Sequence, residues 1–165
     1  MKKVRYLGVM MALTVFVTGA FAQEKMKSDS KMSGKKSADS SFMMMAATGG
    51  MNEISLSDQA LTKSSNDDVK SFAQKMVVDH TKAGDELKQV AMSKNVTLPN
   101  EPDAKHKKAA AKMSSMSGAA FDKEYIKTMV KDHEKTDAMF QKEINSGKNA
   151  EAKACTQKTL PTIQE

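Results

Sequence analysis

A short phrase occurs twice in this chain, each time inside a long stretch whose apolar residues recur at helical spacing. The copies read Met-Val-Val-Asp-His at residues 76–80 and Met-Val-Lys-Asp-His at residues 129–133. Within each copy the methionine and the histidine are four residues apart, and residues at that spacing share one face of an α-helix. The pattern therefore predicts two long helices that each direct one histidine into the same interior.

The apolar residues as a whole predict an all-α domain, a bundle of four to five helices in residues 42–165. They recur at three- and four-residue steps, the spacing of an amphipathic helix. Pro102 is expected in the first turn of a short third helix that ends at Gly118, and Pro161 is expected to interrupt the last helix. The predicted helices are 42–63, 67–95, 102–118, 121–147 and 149–159.

The first 22 residues have the organisation of a signal peptide. Cations at residues 2–5 precede an apolar run at residues 7–17, and Ala-Phe-Ala at 20–22 supplies the small residues of a cleavage site. We expect cleavage after Ala22 and export to the periplasm or secretion, with outer-membrane association as the alternative. The apolar run is too short to span a hydrocarbon core of about 30 Å comfortably, so no transmembrane helix is expected after cleavage.

Residues 23–41 are expected to form a disordered linker, because two methionines are their only sizeable apolar groups. Of the 26 basic residues of the chain, three lie in residues 1–22, which leaves 23 basic against 20 acidic residues and a net charge of +3. This excess is mild and the lysines alternate with acids, so no nucleic-acid partner is expected. Cys155 is the only cysteine, which excludes an intramolecular disulfide framework and a cysteine-rich zinc site.

Several short motifs follow one another along the chain: Gly-Met-Asn-Glu at 50–53, Phe-Ala-Gln-Lys-Met-Val-Val-Asp-His at 72–80, Leu-Pro at 98–99, Ser-Gly-Ala-Ala-Phe-Asp-Lys-Glu-Tyr at 117–125, His133 and Thr-Leu-Pro-Thr-Ile at 159–163. With these motifs the sequence from residue 42 onward resembles the exported bacterial family called domain of unknown function 4142. The resemblance implies a ferritin-like up-and-down helical bundle, a periplasmic or outer-membrane setting, and no established activity. It also implies a further histidine a few residues after Ile163, whereas this sequence ends at Glu165, so we expect a C-terminal helix that is short or truncated.

The two histidines define a candidate metal site with His80, His133, Glu53, Met76 and Met129 as ligands. Two thioethers and two imidazoles suit copper(I), and other transition metals, iron among them, come second. In the alternative interpretation the methionines fill gaps in the core and each histidine is a structural residue, with Glu53 as the hydrogen-bond partner of one of them. No cofactor is expected by default.

A ferritin-type di-iron site is not supported, because such sites use Glu-x-x-His pairs. Here the carboxylate directly precedes the histidine, and adjacent residues point about 100° apart around a helix. Asp79 and His80 therefore cannot both face inward.

The motifs of several common enzyme classes are missing from the sequence, which has no Gly-x-Ser-x-Gly elbow, phosphate-binding loop or dinucleotide fingerprint. Two hypotheses stay open. The first is an exported periplasmic or envelope protein of unknown activity, a non-enzymatic binding or stress-related structural module. The second is a bundle that binds copper or iron through inward-facing histidines.

Overall fold

The computed structural model describes residues 37–165, and the described chain is entirely helical outside its turns, as predicted. The signal peptide predicted for residues 1–22 and most of the predicted linker lie outside these residues. In the part of the chain that is described, no helix has the length and the apolar character needed to cross a membrane. The five helices are α1 (Ala38–Lys63), α2 (Asp67–Ser93), α3 (Ala104–Ser114), α4 (Gly118–Ser146) and α5 (Ala150–Gln164).

Polar residues cap the N-termini where the sequence predicts helix starts. The side-chain oxygen of Asn66 accepts bonds from the backbone of Asp68 and Val69, and that of Asn149 accepts one from Ala152, so donors that lack a partner within the helix are satisfied. Helix α1 begins earlier than predicted. Ser37 caps it and residues 38–41, assigned above to the linker, form its first turn.

Helix α2 ends in a Schellman motif. The backbone N–H of Asn95 donates to the carbonyl of Met92, and that of Val96 donates to the carbonyl of Ala91. Asn95 takes a left-handed conformation with φ of 55°, which asparagine tolerates better than most residues. The motif turns the chain into the segment 95–100, whose Val96 and Leu98 pack against core residues that include Phe42 and Leu87.

The predicted bounds of α3 were wrong at both ends. Its N-cap is Asp103, whose side chain accepts a bond from the backbone of His106, so Pro102 lies before the helix instead of in its first turn. The helix ends at Ser114 with Ser115 as its C-cap. Gly118 begins α4, and its φ of 55° is a conformation that glycine adopts without steric cost.

The prediction that Pro161 interrupts the last helix was also wrong, since α5 continues through it to Gln164. Proline removes one backbone N–H, and the carbonyl that loses its donor belongs to Gln157, an exposed residue. Beyond the proline, Ile163 is only 5% exposed and packs in the core. Burial of this side chain favours continuation of the helix over the local preference of proline.

The core consists of two hydrophobic clusters at different levels of the bundle. Helix α1 packs against α2, α3 and α4, and α5 packs against α4 and α2. We call the first set the Tyr125 cluster: Leu56, Ala60, Val69, Ala73, Met76, Met113, Phe121, Tyr125 and Met129. We call the second set the Phe42 cluster: Phe42, Met43, Leu87, Ala91, Phe140, Ala152 and Ile163.

Candidate metal centre

Three long helices each place a potential metal ligand between the two hydrophobic clusters. On α1 Glu53 lies between Met43 of the Phe42 cluster and Leu56 of the Tyr125 cluster. His80 on α2 and His133 on α4 likewise lie between residues of the two clusters along their helices. Glu53 and His80 are buried, with 2% and 7% of their surface exposed. A polar level inside an apolar core is costly unless its groups satisfy one another or bind a ligand.

The three side chains meet. One potential ligand atom from each of Glu53, His80 and His133 lies within 4.8 Å of the other two. Oε2 of Glu53 is 3.2 Å from Nδ1 of His80, and the two imidazole ring centres are 5.6 Å apart with their planes tilted by 52°. His80 therefore contacts Glu53 and lies beside His133, an arrangement that the sequence left open.

Helix α5 orients the ring of His133. Nδ1 of His133 lies 3.0 Å from the carbonyl oxygen of Ile163, one of the carbonyls in the last turn of α5 that have no partner within their own helix. Since a carbonyl only accepts, Nδ1 carries the proton and donates it. The lone pair is then on Nε2, which is buried without a hydrogen-bond partner. This nitrogen is free to bind a metal ion.

Burial sets the protonation of the centre. It raises the pKa of Glu53 to about 8, an effect that the charge of Asp132 adds to and that of Lys135 opposes. Burial, followed by the charge of His133, lowers the pKa of His80 to about 4. The pKa of His133 is lowered as well, mainly by desolvation. At neutral pH the metal-free centre is therefore a protonated carboxyl beside two neutral imidazoles.

The other residues of the repeated phrase separate as the helical spacing predicts. Met76 and Met129, 4% and 1% exposed, lie in the Tyr125 cluster one turn before the histidines. Asp79 bonds to Lys75 at 2.7 Å and Asp132 bonds to Lys135 at 2.7 Å. Both aspartates thus face lysines at the edge of the bundle, and neither takes part in the group of three.

Sequence reasoning missed a hydrogen-bonded chain behind Glu53. The hydroxyl of Ser57 donates to the backbone carbonyl of Glu53 at 2.7 Å and lies 2.8 Å from the hydroxyl of Tyr125. Because the serine proton is used on the carbonyl, Tyr125 donates to Ser57. The bond from Tyr125 to α1 joins residues 68 positions apart, a pairing that no local pattern reveals.

The donor set is two imidazole nitrogens and one carboxylate oxygen, which is suited to first-row transition metals. With metal–ligand bonds of 2.0–2.1 Å, tetrahedral ligand atoms are about 3.3 Å apart. Starting from atoms within 4.8 Å of one another, side-chain movements of about 1–1.5 Å would close the group around one ion.

Comparisons with known proteins address the family and the fold. The sequence model described as domain of unknown function (DUF4142) matches residues 22–165. No curated protein matches the chain. Among solved structures, "CopM in the Cu(I)-bound form" is similar with a TM-score of 0.64 and 17% sequence identity, over 76% of this chain and 87% of that one. At this identity the likeness concerns the helical-bundle fold.

Proposed function

The chain belongs to the DUF4142 family, and we propose that it is a copper-binding helical bundle whose ion is held by Glu53, His80 and His133. One observation carries the proposal. Three ligand atoms from three different helices lie within 4.8 Å of one another in the interior, and the nitrogen of His133 that faces no other partner is buried. Among the described residues six buried side-chain atoms have no hydrogen-bond partner, and of their residues only His133 belongs to the group of three potential ligands.

The chemistry of the centre favours copper. Among divalent first-row ions, nitrogen and oxygen sites bind Cu(II) most tightly. Loss of the Glu53 proton supplies one negative charge, which offsets part of the charge of the buried ion. The similarity to a Cu(I)-bound protein concerns the fold, and it makes copper the first ion to test. Copper(I) prefers sulfur, so its binding here would recruit the thioethers of Met76 and Met129.

The other candidate function is a non-enzymatic structural module in which both histidines are core residues. The contact between Glu53 and His80 at 3.2 Å favours it, because a buried histidine normally has such a partner. It leaves the buried Nε2 of His133 without a role. Metal binding accounts for both observations.

We propose further that the protein acts after export, in the periplasm or at the cell envelope. The support is the organisation of residues 1–22, with cations, an apolar run and a small-residue cleavage site. Mass spectrometry of the protein expressed from its full sequence tests this, and a mature chain that begins at Gln23 is the expected result. A chain that retains residues 1–22 would contradict it.

Copper titration of the metal-free protein tests the proposed function. We expect one ion per chain, and no specific site after the double substitution His80→Ala, His133→Ala. His106→Ala is the matched control, because His106 lies on α3 and pairs with Asp103 outside the centre, and it should keep full binding. Retention of the site in the double variant, or no uptake by the wild type, would overturn the proposal.

Two further measurements assign the remaining ligands. At pH 7 copper binding should release about one proton from Glu53, since metal ligands must be deprotonated, and the Glu53→Gln variant should release none. Met76→Leu and Met129→Leu should weaken Cu(I) binding and spare Cu(II) if the thioethers are ligands. Equal loss of both oxidation states would instead indicate damage to the fold, which the free energy of unfolding checks.

A further inference from the structure

A cavity of about 780 Å³ lies against the candidate metal centre. Its walls come from α1, α2, α5 and the segment 95–100, with further contributions from α4, and Glu53 and His80 are among the lining residues. The volume lies within the range of about 300–1,000 Å³ that is usual for small-molecule sites. We call this space the α1–α2 groove.

The two ends of the groove differ: the metal centre lies at one end, and the Phe42 cluster lies at the other, beside Asn95, Thr97 and Asn100. Its lining residues run from Phe42 to Ile54 on α1 and from His80 to Met92 on α2, a length of about 18 Å at 1.5 Å per residue. Glu53 contacts His80, whereas Phe42 shares a cluster with Ala91, so the two helices run antiparallel. The metal centre therefore lies at one end, and apolar side chains of the Phe42 cluster lie at the other.

Glycines keep the groove open. Gly49, Gly50 and Gly84 lie in the interiors of α1 and α2, and all three line the groove. A Cβ atom added at Gly49 or at Gly84 would meet nothing within 4 Å, and at Gly50 it would meet only Nδ1 of His80, at 3.7 Å. Glycine is among the least favourable residues in a helix interior, and close packing of the helices does not require it at these positions.

The metal centre would leave a coordination position for a ligand in the groove. Three protein ligands do not complete a four-coordinate site, and the open position of such a site takes water or a bound molecule. With Cu(II) and an ionised Glu53 the buried centre retains one positive charge, which an anionic group would neutralise. Lys88 and Asp85 line the same groove but are exposed, at the side of α2 that meets solvent.

We propose that the α1–α2 groove binds a long, unbranched monocarboxylic acid, with its carboxylate on the copper ion and its hydrocarbon chain along the glycine-lined wall. The proposal rests on the proposed function for the head group alone. A single anionic end matches the charge of the centre, and an unbranched chain matches a largely apolar groove of this length. Each buried methylene adds favourable transfer free energy.

Titration calorimetry with sodium dodecanoate, below its micellar concentration, tests the proposal on the Cu(II)-loaded and the metal-free protein. We expect dodecanoate to bind at least about tenfold more tightly to the copper-loaded protein than to the metal-free protein. We also expect it to shift the visible absorption band of the copper. Dodecyltrimethylammonium, which has the same chain and a cationic head, should show no such gain. Equal gains for both amphiphiles, or none, would overturn the placement of the head group.

Substitutions at Gly84 test the chain portion. Gly84→Leu should fill the groove and weaken dodecanoate binding about tenfold or more, while Gly84→Ala, whose Cβ meets nothing, should leave it near the wild-type value. Neither should lower the free energy of unfolding or the copper stoichiometry. Undiminished dodecanoate binding in Gly84→Leu would overturn the proposal. It would also be overturned if Gly84→Leu changed the oligomeric state and the protein did not bind dodecanoate, because a second copy of the chain would then occupy the groove.

The two proposals fail separately. If the protein takes up no copper, the proposed function and the head-group contact fail. The groove would still be supported as a site for the hydrocarbon chain if the metal-free protein binds dodecanoate and Gly84→Leu abolishes that binding. If one copper ion binds per chain and no dodecanoate binding depends on Gly84, the groove proposal fails and the proposed function stands.

Discussion

Replacement of Glu53 by glutamine should remove a pH dependence from the stability of the metal-free protein. In the folded chain Glu53 is 2% exposed, and burial raises its pKa from 4.5 to about 8. Glutamine has nearly the same shape and keeps an N–H donor for Nδ1 of His80, but it cannot ionise. The substitution therefore separates the titration of this carboxyl from the packing around it.

The sign and size of the effect follow from the two pKa values of Glu53. Below pH 4.5 the carboxyl is protonated in both states and its full contribution to stability is present. Between pH 4.5 and pH 8 the unfolded chain has lost a proton that the folded chain keeps, so the free energy of unfolding falls as pH rises, by about 1.36 kcal/mol per unit. From pH 6 to pH 9 the loss is about 2–3 kcal/mol, nearly all of it complete at pH 8.

Neighbouring groups contribute in other ways to the same pH range. Because the pKa of His80 is lowered to about 4, its effect on the free energy of unfolding has the opposite sign and is lost as pH falls below 6.5. This effect is common to the wild type and the variant. The difference between the two proteins therefore reports on Glu53.

Urea unfolding at pH 6 and pH 9, followed by circular dichroism in the presence of a chelator, measures the effect. The wild type should lose about 2–3 kcal/mol more than Glu53→Gln over this interval. Glu151→Gln is the control, because bonds from Lys94 and Ser93 lower the pKa of exposed Glu151, so this carboxyl is ionised throughout. Equal pH dependence in the wild type and Glu53→Gln would refute the argument that a buried neutral carboxyl lies at the centre.

Two smaller effects concern single side chains. Tyr125→Phe should lower the free energy of unfolding by about 1 kcal/mol. It removes the hydrogen bond from Tyr125 to Ser57, while the serine still donates to the carbonyl of Glu53. Urea unfolding measures the loss, and an unchanged midpoint would contradict the bond. Partial burial raises the pKa of the Cys155 thiol. At pH 8 its alkylation by iodoacetamide should therefore be slower than that of glutathione, and it should accelerate to the rate of glutathione in urea. Equal rates for the native protein and glutathione would contradict the raised pKa.

Helix positions and the faces of the helices were largely predictable from the sequence, because both depend on residues close together in the chain. The spacing of apolar residues places His80 and His133 on inward faces beside methionines, and Asn66 and Asn149 act as caps through bonds to residues two or three positions away. The bounds of α1 and α3 were wrong because Ser37 and Asp103 are the local caps, whereas the error at Pro161 arose where packing over a distance overrides a local preference. Pro161 stays within α5 because Ile163 is buried.

The sequence by itself determined that the chain forms long amphipathic helices with two histidines and one glutamate on apolar faces. Only the tertiary structure decided that these three residues lie at one level, that Glu53 contacts His80, and that a backbone carbonyl 30 residues away orients His133. The α1–α2 groove belongs to the tertiary structure as well. The reason is physical: periodicity sets the direction of a side chain around its own helix, whereas the distance between helices depends on how whole surfaces pack together.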